Sequence, residues 1–406
     1  MNKLTYSLVC LLVLLLSGSS VLSFTYYVSS TGADSNPGTS EAPFLSIQKA
    51  ADVVEPGDSV IVDMGVYTDT NLDDYTVYLN RGGTAEQGIV FLARNRGDAV
   101  LDGQSNTTGY GWNFGEKANY IRVENFELKG FKWGGFWSNA GAHHIYIKNN
   151  IIHDIGRRCT DSAYGQVGVY QGIGTSYHTY DGNTIYNIGR FANGENGCTN
   201  GNAYWTNHDH GLYIQGDHVV IINNVFYNNK AGWDVGVWGN IDFVVSNNTF
   251  ASRNPNKPGQ LILSYGMASI KDVIIQNNLF YQPNHVAITD VPKKARDNVV
   301  LRNNLVVGAP LIDDASGLVL QDNIEYYDDP FLENPENYEF QLNANSPAID
   351  SGIASQAPAY DIEGTTRSSE INGAVDIGAY EFVHSGGSTD TTPPVTPQNL
   401  RVKYYP

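Results

Sequence analysis

Three consecutive titratable side chains, His208, Asp209 and His210, stand three residues before Tyr213 and form the densest cluster of proton-transfer groups in the sequence. Histidine and tyrosine can remove or supply a proton in a reaction if their surroundings tune the pKa values. In this arrangement His210 is the candidate base, Asp209 or His208 orients or assists it, and Tyr213 is the candidate proton donor. The plainer interpretation is a turn with hydrogen-bonded imidazoles, and both stay open. His208 and His210 could also bind a metal ion, but no third ligand is evident.

Two arginines recur at equivalent positions of a local repeat. The segment HDIGR at 153–157 returns 33 residues later as YNIGR at 186–190. If the repeats stack, Arg157 and Arg190 lie near each other, and a guanidinium fork matches the geometry of a carboxylate. The alternative is a structural role, in which both arginines brace the long loops that follow by binding carbonyl groups or Asp154.

Positive charge collects in one part of an acidic chain. The 406 residues carry a formal net charge of −18, yet residues 117–158 contain seven basic and three acidic side chains. An acidic protein is a poor binder of nucleic acid or of an anionic membrane, so neither is expected as a partner. The local excess of lysine and arginine suggests an anion-binding groove, and solvated loop charges explain it equally well.

A column of aromatic residues offers platforms for sugar rings. The segments GFW, GVY, GLY and GVW align across four repeats, and their third residues are Trp137, Tyr170, Tyr213 and Trp238. Strand alternation places the aliphatic second residue inside and the aromatic residue outside, where the apolar faces of sugars can stack on it. If the alternation fails, the column is simply core. Trp233 and Lys230 complete the predicted substrate-binding set.

The same alternation raises an objection to the role of His210. It places His210 on the inward face of its strand together with Leu212. A bend of the chain at Gly211 would remove this objection.

Carboxylates in the same repeats offer a different chemistry. Glycoside hydrolysis needs two carboxylic acids about 5 to 9.5 Å apart. The nearest candidates are Asp154, Asp161, Asp181, Asp209 and Asp234. Stacked strands are about 4.8 Å apart, so several of these could lie within range, and a hydrolase stays open.

The elements that must position these residues are short strands repeated along the chain. β-rich runs end in a polar pair, usually Asn-Asn, whose second positions are 125, 150, 224, 248, 278, 304 and 323. The spacing is that of a solenoid with one coil per repeat. Asparagine tolerates the left-handed turn conformation, and stacked amides can bond one another, so the pairs predict a structural ladder. The predicted fold is an all-β parallel β-helix.

Segments near both ends of the repeats are interpreted as caps. Ser46 is a plausible N-cap for a short helix with apolar residues at 47, 50, 51 and 54, which could cover the open end of the core. SPAIDSG at 346–352 and VDIGAYEF at 375–382 are expected to form the other cap.

The chain termini predict export and further modules. A basic residue and a ten-residue apolar run, too short to cross a membrane, indicate a signal peptide at 1–23. Residues 24–382 are assigned to the β-helix and the Ser/Thr/Pro/Gly-rich 383–395 to a linker, and 396–406 resemble the start of a truncated fibronectin type III module. In an exported protein Cys159 and Cys198, one in each long loop, could form a disulfide.

These features resemble secreted right-handed parallel β-helix proteins of the pectate-lyase-like and alginate-active kind. The resemblance covers most of residues 24–382. Within it, NHDHGLYIQGDHVVIINNVF at 207–226 is similar to the His-Gly coil of alginate C5-epimerases, through His210, Gly211, Asn223 and Asn224. The resemblance implies a secreted, carbohydrate-active protein.

The combined expectation is a monomeric polysaccharide lyase that acts on an acidic, uronate-containing glycan by β-elimination. Arg157 and Arg190 would hold the carboxylate, His210 would take the proton, and Tyr213 would return it. No cofactor is required by the pattern, and calcium is left open. The alternatives are a glycoside hydrolase, a uronate C5-epimerase and a non-catalytic glycan-binding surface protein.

Overall fold

Most repeats of the sequence fold into one coil of three short strands, because β-rich runs alternate with turn residues. The structure is a computed structural model and describes residues 23–199, 205–229, 231–238, 241–253, 259–263, 269–290, 295–326, 332–367 and 374–383. Strands of successive coils pair in parallel and build three long sheets. The predicted right-handed parallel β-helix is confirmed.

The three sheets are named A, B and C, and the chain passes through them in the order C, A, B within a coil. Sheet A consists of Thr25–Val28, Ser59–Val62, Ile89–Ala93, Asn119–Glu124, His143–Lys148, Thr179–Asp181, Val219–Ile222, Ile241–Ser246, Ser269–Gln276, Ala295–Arg302 and Val319–Gln321. Sheet B consists of Gly65–Tyr67, Ala99–Asp102, Glu127–Lys129, Ile151–His153, Thr184–Tyr186, Val225–Tyr227, Thr249–Ala251, Leu279–Tyr281, Leu305–Val307 and Ile324–Tyr326. Sheet C consists of Tyr75–Leu79, Tyr110–Phe114, Gly134–Ser138, Val167–Gln171, His210–Ile214, Val235–Val237, Leu261–Leu263 and Ile288–Asp290.

A few short elements complete the fold. The one α-helix of the described residues is Ile47–Val53, and short 3₁₀ helices lie at Glu195–Gly197, Trp205–His208 and Pro335–Asn337. Two small antiparallel pairs, Leu332–Asn334 with Glu339–Leu342 and Gly352–Ile353 with Ala374–Val375, follow the last coil.

The core lies between the three sheets and is filled by inward-facing apolar side chains. Leu212 and Ile214 are fully buried, whereas Tyr213 between them faces outward. Phe226, Phe250 and Phe280 stack along the axis with ring centroids 5.0 and 4.8 Å apart. Since no coil can bury its inner face alone, stacking of neighbours stabilises every one of them.

The predicted asparagine ladder runs through the core at the turn between sheets A and B. The amide nitrogen of each member lies 2.9 to 3.2 Å from the amide oxygen of the next, in the order Asn150, Asn183, Asn224, Asn248, Asn278, Asn304 and Asn323. The preceding residue of each pair adopts positive φ, as at Asn149 with 53° and Asn247 with 55°. The two members of a pair therefore have separate tasks, one in the turn and one in the ladder.

The ladder begins one coil later than the sequence pattern suggests. Asn125 occupies the left-handed turn position, with φ of 71°, rather than the ladder position. Phe126 stands at the first rung, and its backbone N–H donates to Oδ1 of Asn150 at 2.9 Å.

The predicted N-terminal capping helix is present, whereas the C-terminal segment lies along the side of the solenoid and does not cap its end. The Ser46 side chain accepts a hydrogen bond from the N–H of Lys49 at 3.1 Å and starts the helix. Residues 332–367 and 374–383, here called the C-terminal strap, do not close the end of the solenoid. They lie along its side, where Asn247 and Asn277 donate to the carbonyls of Asp376 and Ile353 at 3.0 and 2.8 Å.

The predicted disulfide joins Cys159 and Cys198, with Cα atoms 5.3 Å apart. Both cysteines lie in loops that lead from sheet B to sheet C in adjacent coils, so the bond ties these loops together. No helix in the described ranges is long and apolar enough to cross a membrane. Except for Ser23 and Val383, the predicted signal peptide, linker and module start lie outside the described residues.

Candidate functional site

A cleft of about 640 Å³ opens on the outer face of sheet C, a volume typical of ligand sites. Its floor comes from outward-facing residues of the sheet, and the two disulfide-linked loops contribute further lining. The lining residues are Tyr110, Trp133, Trp137, Ala163, Tyr164, Gly165, Val167, Tyr170, Asn207, His208, His210, Tyr213, Trp233, Gly236, Trp238 and Ile262. Most of this surface is aromatic, as expected of a site that binds sugar rings.

Aromatic side chains follow one another along the solenoid axis and form what we call the aromatic track. Its members are Tyr75, Tyr110, Trp137, Tyr170, Tyr213 and Trp238, with centroid separations of 5.3, 4.9, 4.0, 5.9 and 6.2 Å in that order. The four residues of the predicted column therefore face outward. The fourth is placed differently from the prediction, since Tyr213 pairs with Gly236 and Trp238 lies two residues further along.

A column of glycines explains why His210 faces the cleft. Gly111, Gly135, Gly168 and Gly211 occupy equivalent positions in sheet C, and each faces the backbone carbonyl of the neighbouring coil. A Cβ atom at Gly211 would lie 2.5 Å from the carbonyl oxygen of Asp234 and 3.2 Å from the ring of Phe226. Gly211 and Leu212 thus both face inward, alternation is interrupted, and His210 emerges on the same side as Tyr213. The bend at Gly211 removes the objection raised by strict alternation.

His210 is held between aromatic rings and a backbone amide. Its ring stacks on Tyr213 at 4.8 Å and lies 5.9 Å from Trp233. The backbone N–H of Trp233 donates to Nδ1 of His210 at 3.3 Å, so in the neutral ring the proton resides on Nε2. Gly236 makes room for the imidazole, since a Cβ atom there would lie 3.0 Å from its Cε1 and Nδ1 atoms.

His208 has the opposite tautomer. Its Nδ1 lies 2.8 Å from the carbonyl oxygen of Ala163, which can only accept, so Nδ1 carries the proton. The lone pair of neutral His208 is therefore on Nε2. Nε2 therefore carries the lone pair in neutral His208 and the proton in neutral His210, the reverse of the arrangement that a base at position 210 requires.

A glutamine couples two phenols of the track. The hydroxyl of Tyr170 donates to Oε1 of Gln215 at 2.7 Å, and Nε2 of Gln215 donates to the hydroxyl oxygen of Tyr213 at 3.4 Å. Burial raises the pKa of Tyr170, which keeps that phenol protonated. The oxygen of Tyr213 receives a hydrogen bond that would stabilise it if its own proton were transferred.

Arg190 and Asp209 do not face the cleft and bind each other instead. Both side chains are fully buried, and Nε and Nη2 of Arg190 each donate to the carboxylate at 2.9 Å. The remaining donors of Arg190 contact the carbonyls of Ser162 and Tyr164, and Asp209 accepts the N–H of Gln166 at 2.8 Å. The expected carboxylate clamp and histidine partner are therefore a structural pair. A buried charge must be compensated, and here it holds the loop that supplies Tyr164 and Gly165 to the cleft.

Arg157 and Lys230 are also not placed in the cleft. Arg157 forms an ion pair with Glu195, donates to the carbonyl of Gly189 at 2.8 Å and stacks on Phe191. This matches the bracing role that was the alternative to a substrate clamp. Lys230 lies outside the described residues.

Among the described residues the site has neither a pair of carboxylates nor a metal-binding cluster. The described lining contains no Asp or Glu, and Asp234 is buried beside Asn229, which donates to it at 2.8 Å. No group of three or more His, Cys, Asp or Glu side chains in the described ranges could hold a metal ion. Calcium prefers carboxylate and carbonyl oxygens, so these residues do not fit an acidic calcium site.

Sequence reasoning missed three aromatic residues of the cleft, Tyr110, Trp133 and Tyr164. Tyr110 had a signal, since it precedes Gly111 as His210 precedes Gly211. The Gly-aliphatic-aromatic pattern is broken in the coil of Tyr110, because Asn113 occupies the position that is Tyr78 and Trp137 in the two neighbouring coils. Trp133 and Tyr164 lie outside the strands, where no periodicity marks them.

Comparison with known proteins agrees with this right-handed parallel β-helix architecture. The family described as Pel9A-like, right handed beta helix region, matches residues 26–240. The chain belongs to this family.

Individual relatives are distant. The pectate lyase PEL9 of Emericella nidulans is 33% identical over 84 residues, and the match covers 21% of this chain and only 20% of the fungal protein. The crystal structure of pectate lyase Pel9A has a TM-score of 0.52 at 17% identity and covers 88% of this chain and 96% of that one. A glycoside hydrolase has the same TM-score at 9% identity, with coverage of 80% and 99%. At such identities the structures share the fold.

Proposed function

We propose that this protein is a secreted polysaccharide lyase that binds an acidic, uronate-containing glycan along the aromatic track and cleaves it by β-elimination. The observation that carries the proposal is that His208 and His210, which have opposite tautomers, line one aromatic cleft together with Tyr213. Membership of the Pel9A-like family and the likeness to two pectate lyases support the same reaction class. The disulfide suits an oxidising compartment outside the cytoplasm.

In the proposed β-elimination, the side chains of the cleft act as base, acid and hydrogen-bond donors. Nε2 of His208 removes the C5 proton, and the electrons of the C5–H bond form the C4–C5 double bond as the C4–O4 bond breaks. Tyr213 supplies a proton to the leaving oxygen, and the donor Gln215 stabilises the phenolate that results. Nε2–H of His210 donates a hydrogen bond to the substrate beside it. No step uses a metal ion.

The hydrolase alternative is weaker because the described cleft lining lacks the two carboxylic acids that glycoside hydrolysis needs. The described cleft lining offers no carboxylic acid, and Asp209 and Asp234 are buried away from it. A hydrolase would release new reducing ends without an unsaturated product.

The test is incubation of the protein with polygalacturonate, alginate and glycosaminoglycans, followed by ultraviolet absorbance of the unsaturated product. We expect His208→Gln and Tyr213→Phe to lower kcat about 10²- to 10⁴-fold, the usual contribution of a general base or acid, with little change in binding. His285→Gln, an exposed histidine paired with Asp313, is the matched control and should keep full activity. Absence of unsaturated product with every uronate polymer would refute the proposal.

A further inference from the structure

Two cations meet on one aromatic ring at the cleft. The guanidinium carbon of Arg158 lies 4.2 Å from the ring centroid of Trp133, and Nζ of Lys132 lies 5.1 Å from the same centroid. Trp133 lines the cleft and contacts Tyr164, another lining residue, edge to face at 6.2 Å. Positive charge is thus held next to a surface whose described lining contains neither lysine nor arginine.

Neither cation forms an ion pair with a carboxylate among the described residues, and Asp209, the carboxylate that interacts with Arg158, is already paired with Arg190. The neighbouring arginines of the same loops are each paired, Arg157 with Glu195 and Arg190 with Asp209. Arg158 instead donates from Nε to the amide oxygen of Gln166 at 3.2 Å, and its buried Nη2 has no hydrogen-bond partner. In a chain with 42 acidic residues, two adjacent cations without an acidic partner are a charge imbalance that a bound anion would remove.

The backbone fixes Arg158 in place. Its N–H donates to the carbonyl of Gly156 at 2.7 Å, and its carbonyl accepts the N–H of Phe191 at 3.1 Å. The next residue is Cys159, whose disulfide ties the loop to its neighbour. A guanidinium that is stacked on an indole and anchored at the backbone loses little freedom on binding a ligand.

We propose that Arg158 and Lys132, stacked on Trp133, form a subsite beside the cleft that binds the carboxylate of a uronate whose ring lies in the cleft. The assignment rests on the proposed function and gives it the carboxylate-neutralising groups that Arg157 and Arg190 do not supply. Arg158 and Lys132 each supply a positive charge beside Trp133 that attracts a carboxylate. Neutralising the carboxylate makes the neighbouring C5 proton easier to remove, so the subsite acts in both binding and turnover.

The test separates charge recognition from catalysis by measuring binding directly. The affinities of the wild type, Arg158→Gln, Lys132→Gln and the double variant are measured by tryptophan fluorescence with polygalacturonate oligomers and with their neutral methyl esters. The wild type should prefer the anionic oligomers, and each single variant should weaken that binding about 10- to 100-fold, as for loss of a charge-assisted hydrogen bond. Binding of the methyl esters should change less than threefold.

The matched control is Lys117→Gln, which removes one exposed positive charge from the same basic segment and should leave both affinities unchanged. Thermal unfolding confirms that each variant is folded, and the two single variants test the subsite independently of each other. The proposal is overturned if the wild type has no preference for the anionic oligomers, or if the double variant retains it. If the preference depends on Arg158 and Lys132 but no unsaturated product forms, the anion subsite stands and the lyase proposal fails.

Discussion

Asp234 is a buried carboxyl group directly after the cleft residue Trp233, and it links stability to pH. Desolvation raises its pKa from 3.8 to about 7, although Asn229 donates a hydrogen bond to it. The folded state therefore holds a proton that the unfolded chain has released above pH 4. The resulting stability is complete below the unfolded pKa and is lost as the pH rises through 7.

We expect the Asp234→Asn variant to lose this pH dependence. Between pH 6 and pH 8 the titration of Asp234 should cost the wild type about 1.4 kcal/mol of unfolding free energy relative to the variant. Urea unfolding at the two pH values measures it. Asp297→Asn, whose side chain is 74% exposed, should leave the wild-type slope unchanged. Equal slopes for the wild type and Asp234→Asn would show that Asp234 is already ionised at pH 6.

Alanine substitutions at Gly236 and Gly211 distinguish displacement of the His210 ring from disruption of the strand that carries it. In Gly236→Ala the new methyl group would press on the imidazole of His210, so we expect activity to fall at least tenfold while the fold stays intact. In Gly211→Ala the new methyl group would press on the backbone carbonyl of Asp234, so we expect the free energy of unfolding to fall by about 1–3 kcal/mol. Turnover and urea unfolding of both variants distinguish the two effects. Unchanged activity in Gly236→Ala would argue against a role for His210.

The pairing of Arg190 with Asp209 shows what single residues in the sequence could not reveal. Arginine, aspartate and histidine beside a loop fit both a catalytic cluster and a structural ion pair. Only the fold brings Arg190 to Asp209, 19 residues later, and removes both from solvent. His208, His210 and Tyr213 could be found from the sequence, but the backbone groups that fix the two tautomers could not.

At the scale of the strands, repeats predicted most of the architecture. From Asn150 onward an asparagine marks the turn between sheets A and B in each coil, so the ladder followed from spacing, whereas the coils before Asn125 carry no such pair and could not be counted this way. The error at Trp238 has a simple cause. The strand Val235–Val237 is shifted by two residues from the position predicted by its Gly-aliphatic-aromatic pattern, and a shift of two preserves which side chains face outward.

The aromatic track extends beyond the cleft, which predicts a dependence on substrate length. Five strands of sheet C, from Tyr75–Leu79 to His210–Ile214, carry its first five members, and Trp238 directly follows the sixth strand, Val235–Val237, so the track spans roughly 24 Å. Tyr78 contacts Tyr75 at the outer end and is 39% exposed. We expect Tyr78→Ala to raise KM about three- to tenfold for long oligomers and to leave short ones unaffected. Tyr360→Ala, an exposed tyrosine outside the track, is the control, and equal effects on all lengths would refute the extended site.

At the scale of the whole molecule, the C-terminal strap depends on one buried arginine. Arg367 forms an ion pair with Glu381 at 2.6 Å and donates to Asn223 and to the carbonyl of Gly378. Burial raises the pKa of Glu381 to about 7 despite the nearby guanidinium. Removing one partner of such a pair leaves the other charge or dipole uncompensated in the interior.

We therefore expect Arg367→Ala to lower the free energy of unfolding by about 3–5 kcal/mol, measured in urea. Arg81→Ala removes the exposed pair with Glu55 and should cost less than about 1 kcal/mol. Similar losses in the two variants would mean that the strap contributes little to the stability of the coils.

The strap also changes the order in which the molecule can assemble. A plain solenoid is held by contacts between neighbours, so coils can be added or lost one at a time from either end. Here the turn residues Asn223, Asn247, Asn277 and Asn303 each donate to a carbonyl of the strap, at Tyr360, Asp376, Ile353 and Ser351. Since the four donors lie in four successive coils, the strap can close only after all four coils have stacked, and none of these coils can then detach alone.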